Sequence, residues 1–218
     1  MIRKKISAAP SVRRLPSYLN IIRELQTGGN EYVSGTVIAQ ELKLDPIQVR
    51  KDLALTGITG KPKKGYRLPA LITAIERYLG WDTPRNAVLV GAGNLGSALM
   101  GYAAFNCHGL TIQAAFDINP HLAGTEIHGI RVFPAGSMEA QIRESGTKIA
   151  ILTVSPASAQ AAADALVHAG IDGIWNFTTV KLKVPEDVVV QQEDLSSGLA
   201  MLSVMLRAKT RETGKPPA

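Results

Sequence analysis

The chain has 218 residues, 45% of them hydrophobic, a single cysteine and a formal net charge of +6. That length allows one medium domain or two small ones, and the apolar content excludes wholesale disorder. No apolar run is long enough for a membrane span, and the lone Cys107 excludes an internal disulfide.

Met1–Lys5 is basic but leads into no long apolar stretch, so no signal peptide is expected and the cytoplasm is the expected compartment. The charge is unevenly placed. Residues 1–80 hold 14 Lys/Arg against 6 Asp/Glu, whereas the rest of the chain holds 10 against 12. A positive field confined to the N-terminal third points to a polyanionic partner for that part.

Leu15, Leu19, Ile22 and Leu25 recur at helical spacing, with Pro16 expected in the first turn and Gly28-Gly29-Asn30 ending the run. Ser34 is placed to cap a second helix with Val37, Ile38 and Leu42 on its apolar face. After the short turn Lys43-Leu44, Asp45 caps a third helix that has Pro46 at its first position and Gln48 at capping-box spacing. Val49 and Leu53 can bury, leaving Gln48, Arg50 and Lys51 to face outward. Two helices joined by a tight turn, the second with a basic outer face, form a helix-turn-helix. Gly60-Lys61-Pro62-Lys63-Lys64-Gly65-Tyr66 then reads as a wing whose ammonium groups neutralise phosphates, before a fourth helix at about 69–79.

Breakers at Gly80–Arg85 separate this winged helix (1–80) from a second part (85–193), and a final helix follows at 194–210. Ala87–Val90 reads as a buried strand running into Gly91-Ala92-Gly93-Asn94-Leu95-Gly96, with a helix expected over Asn94–Phe105. The next strand, Leu110–Phe116, ends in Asp117, 21 residues after Gly96. Glycines between strand and helix, with an acid at that distance, are the dinucleotide fingerprint of a doubly wound parallel Rossmann sheet. Gly91 allows the tight turn, Gly93 admits a pyrophosphate and Gly96 lets helix and strand pack. Asp117 is placed to accept hydrogen bonds from the adenosine ribose, with Ile118 beside it, which favours NAD(H) over NADP(H).

Further strands are expected at Ile130–Phe133, Ile149–Thr153, Ile174–Asn176 and Val188–Gln191, making six, with helices at about 137–144 and 157–169. Thr153-Val154 and Asn176-Phe177-Thr178 follow strand carboxyl ends and are expected to line the nicotinamide side. The last helix carries Leu195, Leu199, Leu202 and Leu206 on one stripe, and the tail from Lys209 reads as frayed.

A basic winged helix followed by a Rossmann domain resembles the redox-sensing repressor Rex family. The resemblance covers about residues 14–207. Its most specific stretches are Arg14-Leu15-Pro16-Ser17-Tyr18-Leu19, Gln48-Val49-Arg50-Lys51-Asp52-Leu53, Val90 through Leu99 and Gly170 through Phe177. It implies a homodimer with an exchanged last helix that binds palindromic operator DNA when NADH is scarce and leaves it when NADH binds. By position, Arg50 and Lys51 match the recognition-helix basic pair and Tyr66 the tyrosine closing the wing. Tyr102 and Asp194 match the pair near the nicotinamide. Ser34, Gln48, Lys61, Lys63, Lys64, Arg13 and Arg14 complete the expected DNA contacts. Asn20 stands where the family often has arginine, Leu55-Thr56 where it has an aromatic pair, and the wing holds lysines in place of an arginine.

No catalysis and no metal are expected, because His108, His121, His128 and His168 lie away from predicted strand carboxyl ends and no substrate domain remains. The alternatives are an NAD-dependent oxidoreductase, a module for another adenine ligand such as coenzyme A, and a DNA-binding dimer without a redox response.

Overall fold

The structure is a computed structural model that describes residues 8–213, with side chains to Thr210. It divides into two compact units. One runs to Arg85 and takes in Ala104–Thr111, and the other comprises Asn86–Ala103 and the chain from Ile112 onward.

The first unit is built from α1 (Ala9–Thr27), β1 (Tyr32–Val33), α2 (Gly35–Leu42), α3 (Pro46–Ala54), β2 (Tyr66–Arg67) and α4 (Leu68–Leu79). Leu15, Tyr18, Leu19 and Ile22 of α1 meet Ile38, Val49, Leu53, Leu71 and Ile75 in one core. Ser34 caps α2 by accepting from the Val37 N–H at 3.2 Å, and Asp45 caps α3 by accepting from the Ile47 N–H at 2.6 Å. Between them Lys43 takes a left-handed turn at φ 53°, the tight link of a helix-turn-helix.

Three local expectations are corrected. Pro10, not Pro16, occupies the first turn of α1, and Pro16 lies inside the helix. Residues ahead of Pro16 stay helical because Leu15 is fully buried and Arg14 is tied to Asp52, and these contacts outweigh the lost backbone bond. Val37 is 37% exposed and does not join the core. Gln48 makes no capping box, because its amide donates to Asp52 at 2.8 Å.

β1 and β2 pair antiparallel, Tyr32 with Arg67 and Val33 with Tyr66. Beside them Lys61 and Gly65 exchange backbone bonds across the turn Lys61–Lys64, with Pro62 second and Lys63 third at φ 62°. This is the wing. The segment Ala104–Thr111 adds α6 (Ala104–Cys107) to this unit, with the His108 ring stacked on Trp81 at 3.9 Å.

The second unit is a sheet flanked by helices. Its elements are β3 (Arg85–Val90), α5 (Asn94–Met100), β4 (Leu110–Asp117), β5 (Glu126–Ile127), β6 (Ile130–Pro134), α7 (Met138–Ser145), β7 (Ile149–Leu152), α8 (Ala159–Ala169), β8 (Gly173–Asn176), β9 (Val189–Gln192) and α9 (Leu195–Thr213). The sheet order is β5-β6-β4-β3-β7-β8-β9. Without β5, this is the doubly wound order of the Rossmann fold, with the switch point between β3 and β7. The pairs β3–β7, β4–β6, β7–β8 and β8–β9 are parallel, and β5–β6 is antiparallel. Phe116, Leu152, Leu166 and Ile174 centre the core.

β5 is an edge hairpin strand beyond the six expected, joined to β6 by His128-Gly129, both at positive φ. The helix expected over Asn94–Phe105 stops at Met100, where the Gly101 backbone lies close against the His128 ring. α9 is helical to Thr213, so Lys209–Thr213 is not frayed, while Gly214-Lys215-Pro216-Pro217 lie outside the described residues.

Candidate functional site: a glycine-loop cleft and a basic helix-turn-helix

In the second unit a cleft of about 650 Å³ opens at the carboxyl ends of β3, β4 and β7. Gly91, Gly93, Asp117, Ile118, Thr153 and Val154 line it, together with Phe116, Met138 and the small residues of α8. Gly91 sits at φ 100°, and a Cβ there would come within 2.8 Å of the Thr153 carbonyl carbon. Gly93 faces open space. The Gly96 Cα lies against the Gly91 carbonyl, so the helix start packs onto the strand end. Ala92, Asn94 and Leu95 complete the loop, and the N–H groups of Asn94, Leu95 and Gly96 open α5 without a partner in the helix.

Two side chains fix the loop. The Asp117 carboxylate accepts from the Ala92 N–H at 2.6 Å and from the Asn119 N–H at 2.7 Å. The Thr153 hydroxyl lies 2.7 Å from the Gly91 carbonyl and 3.1 Å from that of Val90. Each Asp117 oxygen accepts one of these bonds and has a second lone pair, and Asp117 lines the cleft, so ribose hydroxyls remain within its chemistry. A second hollow of about 330 Å³ adjoins Asp117 and Ile118, walled by Pro120, Ala123, Pro134 and Ala135. Ile118, 82% exposed, is shared by both. The walls after β6 were missed in the sequence, although ligands in open α/β sheets sit beyond strand carboxyl ends and β6 is such a strand.

Other expected cofactor residues lie elsewhere. Asn176 is fully buried, donating to the Val180 carbonyl at 2.9 Å and to Gln192 at 2.7 Å and accepting from the Thr178 N–H. Thr178 is 4% exposed, and Phe177 meets the Trp175 ring at 5.0 Å. These three order the chain after β8 instead of lining the cleft. Tyr102 is 55% exposed just after α5. Asp194 caps α9, and hydrogen bonds from the Ser196 hydroxyl and N–H hold its carboxyl below the usual range.

In the first unit, α3 turns Ile47, Arg50, Lys51 and Ala54 to solvent and buries Val49, Asp52 and Leu53. Two residues expected to contact DNA are engaged within the unit. Arg14 grips Asp52 through Nε at 2.7 Å and Nη2 at 2.9 Å, and Gln48 also turns inward to it. The Tyr18 hydroxyl donates to Asp52 at 2.6 Å. Burial alone would push the Asp52 carboxyl up, but the bonds from Arg14, Tyr18 and Gln48 outweigh it and hold the carboxyl well below its usual range. Burial and the Asp52 charge push the Tyr18 phenol up to about 12. A buried acid fixed by α1 therefore sets the attitude of α3.

Arg13, Lys61, Lys63 and Lys64 are exposed, and Tyr66 is half-buried at the wing base. The Lys61 and Lys64 ammonium groups lie 5.9 and 5.7 Å from the Tyr32 ring centre. Tyr32 was not singled out in the sequence, because its place opposite the wing depends on β1–β2 pairing.

Residues 82–180 match the family model described as CoA binding domain, and residues 5–54 match one described as putative DNA-binding protein N-terminus. The redox-sensing transcriptional repressor Rex of Treponema denticola is 56% identical over 209 residues, covering 96% of this chain and 100% of that protein. The chain belongs to the Rex family of redox-sensing transcriptional repressors. The Bacteroides fragilis Rex is 41% identical, covering 88% of each chain. Among solved structures, the Rex-family repressor RSP in complex with β-NADH superposes with a TM-score of 0.86 at 33% identity, covering 97% of this chain and 99% of that one. RSP with β-NAD⁺ and operator DNA also gives 0.86, covering 98% and 100%. These Rex matches span both units, so the family includes the winged helix and the glycine-loop cleft together.

Proposed function

We propose that this chain is a redox-sensing repressor that holds operator DNA as a homodimer through α3 and the wing, and releases it when NADH occupies the cleft. The observation that carries this reading is the glycine loop clamped by Asp117 and Thr153 in a chain that also presents a basic helix-turn-helix. The residues present fit a dinucleotide. Loop N–H groups face the phosphate position, Asp117 faces the ribose, and the hollow beside Ile118 suits a flat base. A carboxylate at the ribose repels a 2′-phosphate, which favours NAD(H).

The remaining walls are largely apolar: Val90, Phe116, Met138, Val154 and the alanines of α8. Apolar walls favour the uncharged reduced nicotinamide ring over the cationic oxidised one, because burying a charge is costly. That difference supplies the bias a sensor needs. Asp117 and Thr153 brace the loop through the Ala92 N–H and the Gly91 carbonyl, which keeps the N–H groups at the start of α5 in place for a phosphate. Arg50 and Lys51 face the groove, and Lys61, Lys63, Lys64 and Arg13 face phosphates. Tyr102 and Asp194 take the nicotinamide-side roles that the family resemblance implies.

A dimer is supported by α9, where Leu195, Leu199, Leu202 and Leu206 are each more than half exposed along one stripe. Among the described residues no helix is long and apolar enough to cross a membrane, and a DNA-binding regulator acts in the cytoplasm. The match to a coenzyme A-binding model keeps a second ligand in view.

Fluorescence anisotropy of a labelled fragment from the DNA upstream of the protein's own gene tests the reading. At fixed salt, protein is titrated alone and with NAD⁺, NADH or coenzyme A. Release by NADH, with binding retained in NAD⁺ and coenzyme A, is expected. Release by coenzyme A, or by no nucleotide, would overturn it.

A further inference from the structure

The outward face of α3 is mixed, not uniformly cationic. Ile47, Arg50, Lys51 and Ala54 form an i, i+3, i+4, i+7 stripe and are all exposed. Gln48, a polar residue expected to contact DNA here, is withdrawn onto Asp52. The vacated first turn is led by Ile47, which leaves 54% of its surface in water.

A single exposed isoleucine is ordinary on a protein surface. Ile47 differs in where it stands and in how firmly it is held. Its N–H is bound by the Asp45 carboxylate at 2.6 Å, and the next turn of α3 is anchored by buried Val49, Asp52 and Leu53. One turn on, the Arg50 stem lies on Gly35 of α2, where a Cβ would stand 3.2 Å from the Arg50 Cγ. Ile47 is thus an apolar group on a rigid helix start, flanked by two cations whose partner is a polyanion.

The N-terminal turn of a recognition helix is the part that meets base edges. In the major groove the apolar group presented by a base pair is the thymine 5-methyl. Building on the DNA-binding reading above, we propose that Ile47 is a specificity-determining residue that reads a thymine in each operator half-site by packing against its 5-methyl group. Ile47 and Arg50 are about 4.5 Å apart along the helix axis, against a base step of about 3.4 Å. The thymine therefore lies within about two base steps of the pair that Arg50 contacts.

Deoxyuridine pairs as thymine does and lacks only the methyl, which makes it the direct probe. With the full-length protein and an upstream fragment that it binds, each thymine of the half-sites is replaced in turn by deoxyuridine, symmetrically, and affinity is measured at fixed salt. One position is expected to lose about fourfold per half-site, the worth of one buried methyl group. Ile47→Ala is expected to lose a similar factor on the thymine operator and to become indifferent to deoxyuridine at that position only. Its thermal melting should match the parent, since the residue touches no core.

No thymine position responding to deoxyuridine would overturn the proposal. So would an Ile47→Ala protein that still loses affinity with deoxyuridine at the responding position, because Ile47 would then contact sugar or nothing. Failure of the parent protein to bind any upstream fragment would instead overturn the DNA-binding reading and this role with it.

Discussion

Replacing Gly96 by alanine is expected to weaken NADH binding by at least about 100-fold and to leave a protein that stays on its operator when NADH is added. The added Cβ overlaps the Gly91 carbonyl and comes within 3.0 Å of the Thr153 hydroxyl. Neither neighbour can step aside. The Gly91 carbonyl is bound by that same hydroxyl, and Gly91 itself is held at φ 100° against the Thr153 backbone. The first turn of α5 must therefore move off β3, and its N–H groups move with it. Overpacking of this kind costs about 1–3 kcal/mol of stability, which the second unit can absorb while losing the geometry a pyrophosphate needs. Calorimetric titration with NADH, alongside anisotropy with operator DNA, checks both halves. Unchanged NADH affinity would mean that the loop does not hold the nucleotide.

Asp52→Ala is expected to remove about 3–5 kcal/mol from the first unit and to abolish operator binding, while NADH binding by the second unit persists. The carboxylate is fully buried and bound by Arg14, Tyr18 and Gln48, so its removal strands a cation and a phenol and frees α3 from α1. Circular dichroism melting and NADH titration separate the two effects. The same cluster sets a pH window in the parent. The Asp52 carboxyl is depressed from 3.8, so its stabilisation is complete above about pH 4 and is lost on acidification. The Tyr18 phenol is raised from 10.0 to about 12, so its contribution is complete below pH 10 and is lost as pH rises through 12. Burial and the nearby Arg23 guanidinium hold the His108 imidazole below 6.5, so its contribution is complete above that value and falls on acidification. From these three groups, stability of the first unit is expected to be flat between about pH 7 and 10 and to fall on either side. A steady decline from pH 7 to 9 would show that the cluster does not behave as its hydrogen bonds require.

The sequence made the Rossmann part legible because its signals are local. A strand, three glycines, a helix and an acid 21 residues on are all read from spacing within one short stretch of chain. The helix-turn-helix was legible for the same reason, through Ser34, Asp45 and Pro46 at helix starts. What escaped was decided by tertiary partners. Asp52 shares the core face with Val49 and Leu53, so its position called for a buried counter-charge, but nothing local identifies Arg14 as that partner. Gln48 follows Asp52 inward, and Arg14 carries α1 back beyond Pro16. Asn176 ends a strand, as a ligand residue would, yet the Val180 carbonyl and Gln192 claim it. β5 is two residues long and exists by pairing with β6.

The central claim is that nucleotide and operator are energetically coupled, and reciprocity tests it most directly. NADH affinity is measured by titration with and without saturating operator DNA at one salt concentration. A repressor released by NADH must bind NADH more weakly on DNA, by the same factor by which NADH weakens DNA binding, typically about 5–150-fold. An NADH affinity indifferent to saturating operator DNA would contradict the coupling, even if both ligands bind the protein tightly.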